Sequence, residues 1–386
     1  MNNFIYENKT RVYFGTGCAK EYLVSLLKGY GNNVLLAYGG GSVKKNGVYD
    51  EMMGYLNEAG KTVTEFSGIM SNPTYAKVQE GVELARENHI NLILAVGGGS
   101  VIDCCKIVSA QAKTDCDLWS MEFDCHTYPT EFIPMIAIVT ASGTGAEMNN
   151  GAVITNEEKK LKAGMLGAQA EVAMIDPSYA LSLPMKQMLS GAFDTLSHCM
   201  ETYFGKPGSG NLSDEINESI MRLVIRNIRV LLNDAQNMEA RSELAWASSM
   251  AENGILKIGK VTDFECHQME HQLGAYTNCN HGAGLAVLHP VYYRHIYQSG
   301  LEKFGRFAEE VWGISSEGKT AQQLARAGVE ALADFIREIG LPTTLRELGV
   351  DEQTDLKAIA DSCNCVPGAY KKMTHEEILK IFKECY

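Results

Sequence analysis

The first half of the chain alternates unbroken apolar runs with amphipathic stretches of helical length. Val34-Leu35-Leu36-Ala37-Tyr38 is one such run, and it ends in Gly39-Gly40-Gly41-Ser42. Asn91 to Val96 repeats the arrangement and ends in Gly97-Gly98-Gly99-Ser100, while Pro134 to Val139 is closed by Thr140 and small residues as far as Gly145. Short apolar runs bounded by glycine read as strands buried on both faces. Helix-period segments such as Thr74 to Asn88 separate them, which predicts βαβ units and a mostly parallel sheet. After about residue 185 the period changes. Asp214–Leu232 and Glu239–Leu256 repeat apolar residues every three or four positions without strand-like runs, and Pro184 stands near the change. The pattern predicts an α/β domain over residues 1–185 and an all-helical domain over 186–386, with no internal repeat.

Composition narrows the function classes. At 386 residues the chain is long for a single core, and 45% hydrophobic with 21% charged residues is ordinary for a globular enzyme. The net charge of −13 disfavours nucleic acid or an anionic membrane as partner. No run reaches the roughly 18–20 apolar residues of a membrane span, and the N-terminus lacks the basic start and apolar core of a signal peptide. Eleven scattered cysteines, an odd count without a repeated C-x-x-C, fit reduced thiols in a cytoplasmic protein.

Each GGGS turn follows a strand, where glycine lets backbone N–H groups approach a phosphate and a following helix adds partial positive charge. Neither turn is the G-x-G-x-x-G fingerprint. One such turn alone is as easily a tight connection with no ligand; two, with Thr140–Gly145, favour a bound nucleotide. Enzymes that bind NAD commonly place an acid near the ribose 2′-OH. None occurs from Tyr38 to Lys45, where Ser42, Lys44 and Lys45 offer donors and charge for a 2′-phosphate. NADP(H) is therefore the expected cofactor, in preference to NAD(H).

The helical half holds His198, His267, His271 and His281 among the chain's nine histidines. Asp194 and His198 are four apart, as are His267 and His271, so each pair shares a helix face. His281 follows in Cys279-Asn280-His281-Gly282-Ala283-Gly284, where glycines allow close approach. One aspartate with three of these imidazoles makes a divalent-metal site with open positions, and iron and zinc both accept that set. One histidine is left over, placed to sit near a reacting carbon. Cys199 and Cys266 neighbour the candidates but point about 100° away on a helix.

These residues, in this order, resemble the iron-containing, or group III, alcohol dehydrogenases, and most closely their butanol dehydrogenase-like branch. The likeness runs through YGGGSVKKNG (38–47), SNP (71–73), VGGGSVID (96–103), TASGTGAE (140–147), IDPSYALSLP (175–184), DTLSH (194–198), WASSMAENG (246–254) and the histidine series. It implies a Rossmann-like nucleotide-binding domain followed by a metal-binding one, and a homodimer. It implies that Asp194, His198, His267 and His281 bind the metal, Fe(II) or Zn(II), and that His271 is the extra histidine near the nicotinamide. Gly39, Gly40, Gly41, Ser42, Gly97, Gly98, Gly99, Ser100, Asp103, Thr140 and Thr144 fall on cofactor contacts. The family's cofactor lysine falls on Lys160, with Lys162 close by, and Asn149 falls beside the substrate pocket. Gly145-Ala146 has Ala where Ser is common, and the stretch from about Asp351 matches no motif.

The implied reaction is reversible hydride transfer between a nicotinamide and a primary alcohol or aldehyde. A lyase sharing the fold would need a basic cluster for an anionic substrate, and the region from Asp194 to His281 offers few such residues. A nucleotide sensor without turnover would have no use for the Asp-and-His set.

Overall fold

The structure, a computed structural model, describes residues 2–208, 210–366 and 370–386. It divides into two compact units, one formed by Glu7–Leu183 and the other by Pro184–Tyr386 joined by residues 2–6. The N-terminal residues are tied to the helical unit by Asn2 N–H donating to the Gly259 carbonyl at 3.1 Å.

In the first unit, strands and helices alternate as β1 (Arg11–Phe14), α1 (Cys18–Leu27), β2 (Asn33–Tyr38), α2 (Ser42–Lys45), α3 (Val48–Glu58), β3 (Thr62–Phe66), α4 (Tyr75–Glu87), β4 (Leu92–Gly97), α5 (Gly99–Gln111), α6 (Leu118–Phe123) and β5 (Met135–Val139). The hairpin β6 (Gly151–Asn156) and β7 (Leu161–Leu166) and then β8 (Val172–Ile175) complete it. Six strands form a parallel sheet in the order β1-β8-β5-β4-β2-β3. The central strands β4 and β5 are buried at every position, as strands covered on both faces are, whereas the edge strands β1 and β3 are mostly exposed or half-buried. Helix α5 is buried from Val101 to Gln111 on every face, and it carries the polar Asp103, Lys106, Ser109 and Gln111 into the interior. Thr74 starts α4 by accepting from Lys77 N–H at 3.2 Å.

From β2 the chain moves outward to β3, and from β4 it moves the other way to β5 and β8. The strand order therefore reverses between β2 and β4. Ligands of open α/β sheets bind beyond the carboxyl ends of the strands at such a point, and the two GGGS turns lie there.

The second unit is helical: α7 (Met185–Tyr203), α8 (Leu212–Asn233), α9 (Met238–Glu252), α10 (Glu265–Thr277), α11 (His281–Ile296), α12 (Leu301–Arg306), α13 (Ala321–Glu338), α14 (Leu356–Ser362) and α15 (His375–Cys385). Its core is a single apolar cluster reaching from Met188 to Cys385. Helix α9 stops at Glu252, short of the expected Leu256. Gly254 adopts a left-handed φ of 91°, which ends the helix and starts a short 3-10 turn. The C-terminal stretch that matched no motif forms α14 and α15, and α15 is closed at its start by a Thr374–Glu377 capping box.

Candidate metal centre and phosphate loops

Three helices of the second unit bring four donors together. Helix α7 sets Asp194 and His198 one turn apart on a buried face, α10 contributes His267, and α11 begins at His281. The Nε2 atoms of His281, His267 and His198 lie 3.5, 3.6 and 3.8 Å from one oxygen, Oδ1 of Asp194. These separations are too long for good hydrogen bonds, and among the described residues Asp194 Oδ1 and His267 Nε2, both buried, have no hydrogen-bond partner. Donors about 2.0–2.1 Å from a tetrahedral ion stand about 3.4 Å from one another. The ligating atoms of Asp194, His267 and His281 all lie within 4.8 Å of each other. The residues thus fit a divalent cation: their donor atoms fail to satisfy one another and would be satisfied by one shared ion.

The electrostatics point the same way. Burial opposes the charge of Asp194, but the imidazoles of His198, His281 and His267 hold its carboxyl well below the usual range. Burial also works against a charged His267, yet Glu201 and Asp194 together raise it to about 10. Burial lowers His198, which keeps that imidazole neutral and able to ligate.

Two carboxylates escaped the sequence reading. Glu201 bonds His267 Nδ1, and Glu270 bonds His281 Nδ1. Glu201 is seven residues beyond Asp194 and Glu270 three beyond His267, so both continue the buried ligand faces. That periodicity was the available signal. His271 stands one turn beyond His267, its ring stacked on His281 at 5.7 Å. His289 is a buried packing residue whose Nε2 lies 2.6 Å from Ser197 Oγ. Cys199 and Cys266 are buried, and burial raises both thiols far from ionisation.

In the first unit the glycines divide by role. A Cβ on Gly97 would overlap Val101, one on Gly99 would overlap Thr144, and one on Gly98 would stand 3.0 Å from Ala141 Cβ. Gly98 and Gly99 let the turn after β4 pack under the Thr140–Gly145 loop, and Gly97 makes room for Val101 of α5. Gly40 and Gly41 face open space and leave their backbone accessible. Gly39 is tighter, since a Cβ there would lie 3.1 Å from the Ile69 carbonyl. Ser100 sits in the first turn of α5, whose N-terminus no side chain caps.

One expectation about this loop is corrected. A carboxylate does lie within reach: Glu65 of β3, which strand pairing sets opposite Leu36. It accepts from Tyr38 Oη, from Tyr49 Oη at 2.7 Å and from Lys44 Nζ at 3.3 Å. Lys44 is therefore spent on Glu65. Lys45 is exposed.

Asp103 and Asn149 serve as struts. Asp103 Oδ2 accepts from Val153 N–H at 3.0 Å, and its Oδ1 lies 3.5 Å from the buried Lys106 Nζ. Lys106 donates to Asn149 Oδ1 at 2.9 Å and to the Gly151 carbonyl at 2.6 Å, while Asn149 Nδ2 donates to the Gly145 carbonyl at 3.0 Å. Together they fasten the β6–β7 hairpin to α5. Lys160 lies at the exposed turn of that hairpin with φ 51°, and Lys162 is buried in β7.

The iron-containing alcohol dehydrogenase profile matches residues 9–177, and the C-terminal profile of the same family matches 188–386. The chain belongs to the iron-containing alcohol dehydrogenase family. It is similar to the NADH-dependent butanol dehydrogenase A of Clostridium acetobutylicum, 37% identical over 393 residues and all of both chains. It is also similar to the NADPH-dependent aldehyde reductase YqhD of Escherichia coli, 33% identical over 91% of this chain and 90% of that protein. The crystal structure of an NADH-dependent butanol dehydrogenase A from Thermotoga maritima superposes with a TM-score of 0.93 at 35% identity, covering 100% of this chain and 99% of that one. These matches place the chain in the butanol dehydrogenase branch, as an oxidoreductase of CH–OH groups with a nicotinamide partner.

The helical unit of this chain depends on close helix approach at His281. A Cβ on Gly282 would overlap the Ser190 carbonyl of α7. Gly282→Ala is expected to displace the first turn of α11, lowering both the thermal midpoint and the metal content of the purified protein. Unchanged metal content in that variant would show that α11 tolerates the displacement.

Proposed function

We propose that this protein interconverts a small primary alcohol of the butanol type and its aldehyde, using NADP(H) and one divalent metal, iron or zinc. The observation that carries the reading is the convergence of three imidazole Nε2 atoms on Asp194 Oδ1. Asp194, His198, His267 and His281 would hold the ion. When bound, the ion supplies Lewis acidity toward the substrate oxygen and the nicotinamide supplies or accepts the hydride. The reaction balances as alcohol plus NADP⁺ giving aldehyde, NADPH and one proton. His271, buried beside His281, moves that proton to or from the substrate oxygen.

Gly39 to Gly41, Ser42, the turn from Gly97 to Ser100, Thr140 and Thr144 bind the dinucleotide, with the hairpin lysines Lys160 and Lys162 assigned beside it. Asp103 and Asn149 act by holding the hairpin that carries those lysines. Both cofactors occur in the names of the relatives. The preference for NADP(H) is supported by Ser42, by Lys45 and by the state of Glu65, whose oxygens are taken by two tyrosines and a lysine and not left to a ribose. The eleven free cysteines suit a reducing cytoplasm, and among the described residues no helix is long and apolar enough to cross a membrane. Strand β1 ends the sheet, and a second copy paired along its outer side would make a homodimer.

His281→Ala is expected to lose both metal and turnover, while His271→Ala keeps its metal and loses rate. Metal analysis beside aldehyde-dependent NADPH oxidation decides this, and full metal occupancy in His281→Ala would sink the ligand assignment. A charge-assisted contact to the 2′-phosphate, about 1.5–3 kcal/mol, corresponds to roughly a ten- to hundredfold preference in kcat/KM for NADPH over NADH. Lys45→Ala should remove much of that preference, and equal efficiency with both cofactors in the parent protein would refute the reading. Light scattering at micromolar concentration should give the mass of a dimer; a monomer would rule out pairing through β1.

A further inference from the structure

We infer that Glu201 and Glu270 are positioning residues that make the centre retain its metal, by locking two of its three imidazoles in the ligating tautomer. The inference rests on the metal reading above and goes beyond the ligands themselves. Both glutamates are fully buried at 0% exposure. An ionised carboxylate only accepts hydrogen bonds. The bonds Glu201–His267 Nδ1 and Glu270–His281 Nδ1 therefore place the ring hydrogen on Nδ1 and leave the Nε2 lone pair facing Asp194. Carboxylates in this position behind ligating imidazoles orient the ring and raise its basicity.

The arrangement runs from helix to helix. Glu201 belongs to α7 and orients the ligand of α10; Glu270 belongs to α10 and orients the ligand of α11. Glu201 does more than hold a ring. Its Oε1 accepts from Cys266 N–H at 2.8 Å and from His267 N–H at 3.3 Å. Helix α10 needs that help, because its N-cap residue, Phe264, is left-handed and offers no side-chain cap. One carboxylate thus fixes both the backbone and the ring of His267. Glu270 has room because residue 284 is glycine: a Cβ there would stand 3.0 Å from Glu270 Cγ. The imidazole of α7 is held differently. Among the described residues His198 Nδ1 has no hydrogen-bond partner, and its ring is steered by stacking on His267 at 4.6 Å.

The test uses the full chain, stripped of metal and titrated with Zn²⁺ alone against a chromophoric chelator. Glu270→Gln and Glu201→Gln should each weaken Zn²⁺ binding by about 10–100-fold. An amide has no charge to lend the ring, and its NH₂ end would favour the wrong tautomer. Loaded with Co²⁺, the same variants should show altered visible absorption, a readout that a role in stability alone would not move. Glu122→Gln removes a buried carboxylate of the first unit, one that accepts from Leu166 N–H at 2.9 Å. It should bind Zn²⁺ as the parent does. Parent-like Zn²⁺ affinity in both metal-centre variants overturns the inference, even where the metal-free protein melts lower. Should Glu201→Gln fail to fold through loss of the α10 cap, Glu270→Gln decides alone. A parent chain that takes up no Zn²⁺ would instead overturn the metal reading itself, so the two failures are told apart.

Discussion

Asp194 is a carboxylate with almost no access to water, and the helical unit is arranged around the demand that this creates. An isolated buried charge costs several kcal/mol even after relaxation, so a cation or a set of aligned donors has to stand beside it. Three imidazoles approach it from three helices, yet none comes close enough to hydrogen bond to the oxygen they share. Burial opposes a charge on His267, but Glu201 and Asp194 together raise its imidazole to about 10. A ligating imidazole has to be neutral, so metal binding at such a ring is coupled to proton release. The close approach of α11 to α7 at Gly282 follows from this arrangement, since a larger residue would hold His281 away.

The α/β unit obeys a different constraint. Its central strands are apolar throughout, so chemistry is confined to the turns at their carboxyl ends. There the glycines do two jobs that look alike in sequence. Gly97 to Gly99 are small because neighbouring side chains occupy the space, whereas Gly40 and Gly41 leave space empty. Only the second kind is a direct sign of a ligand that needs backbone access. Behind the turns, Lys106 is buried at 0% exposure and holds Asp103, Asn149 and Gly151. It makes a rigid support out of residues that the family resemblance sets beside the cofactor and the substrate pocket.

Much of this was legible in the chain because it depends on local period. Apolar runs closed by glycine or by small residues located β2, β4 and β5, and the i, i+4 spacing placed Asp194 with His198 on one face. What stayed hidden depends on pairing between distant segments. Glu65 reaches the loop after β2 because strand register sets it opposite Leu36, and no window around residues 38–45 contains it. Glu201 and Glu270 lie on legible helix faces, but their meaning appears only once α7, α10 and α11 are brought together. The early end of α9 was a local matter that apolar periodicity overrode: Leu256 continued the pattern, and the left-handed Gly254 stopped the helix.

The choice of helices over loops for the metal centre has a physical reason. Along α7 a single 19-residue element carries Asp194, His198 and Glu201 at positions i, i+4 and i+7, so two of the proposed ligands and the carboxylate behind a third share one rigid body. Their relative placement is fixed by backbone hydrogen bonds and not by side-chain packing, and it survives rotamer motion elsewhere. Sites built on helices hold geometry more tightly than sites built on loops. A Lewis-acid centre needs that tolerance, because its donors must stay within a few tenths of an ångström of ligating distance. Phosphate binding asks less: backbone N–H groups near a turn adapt to an anion whose charge is spread over several oxygens. The division of labour between helices and glycine turns thus follows the precision that each ligand demands.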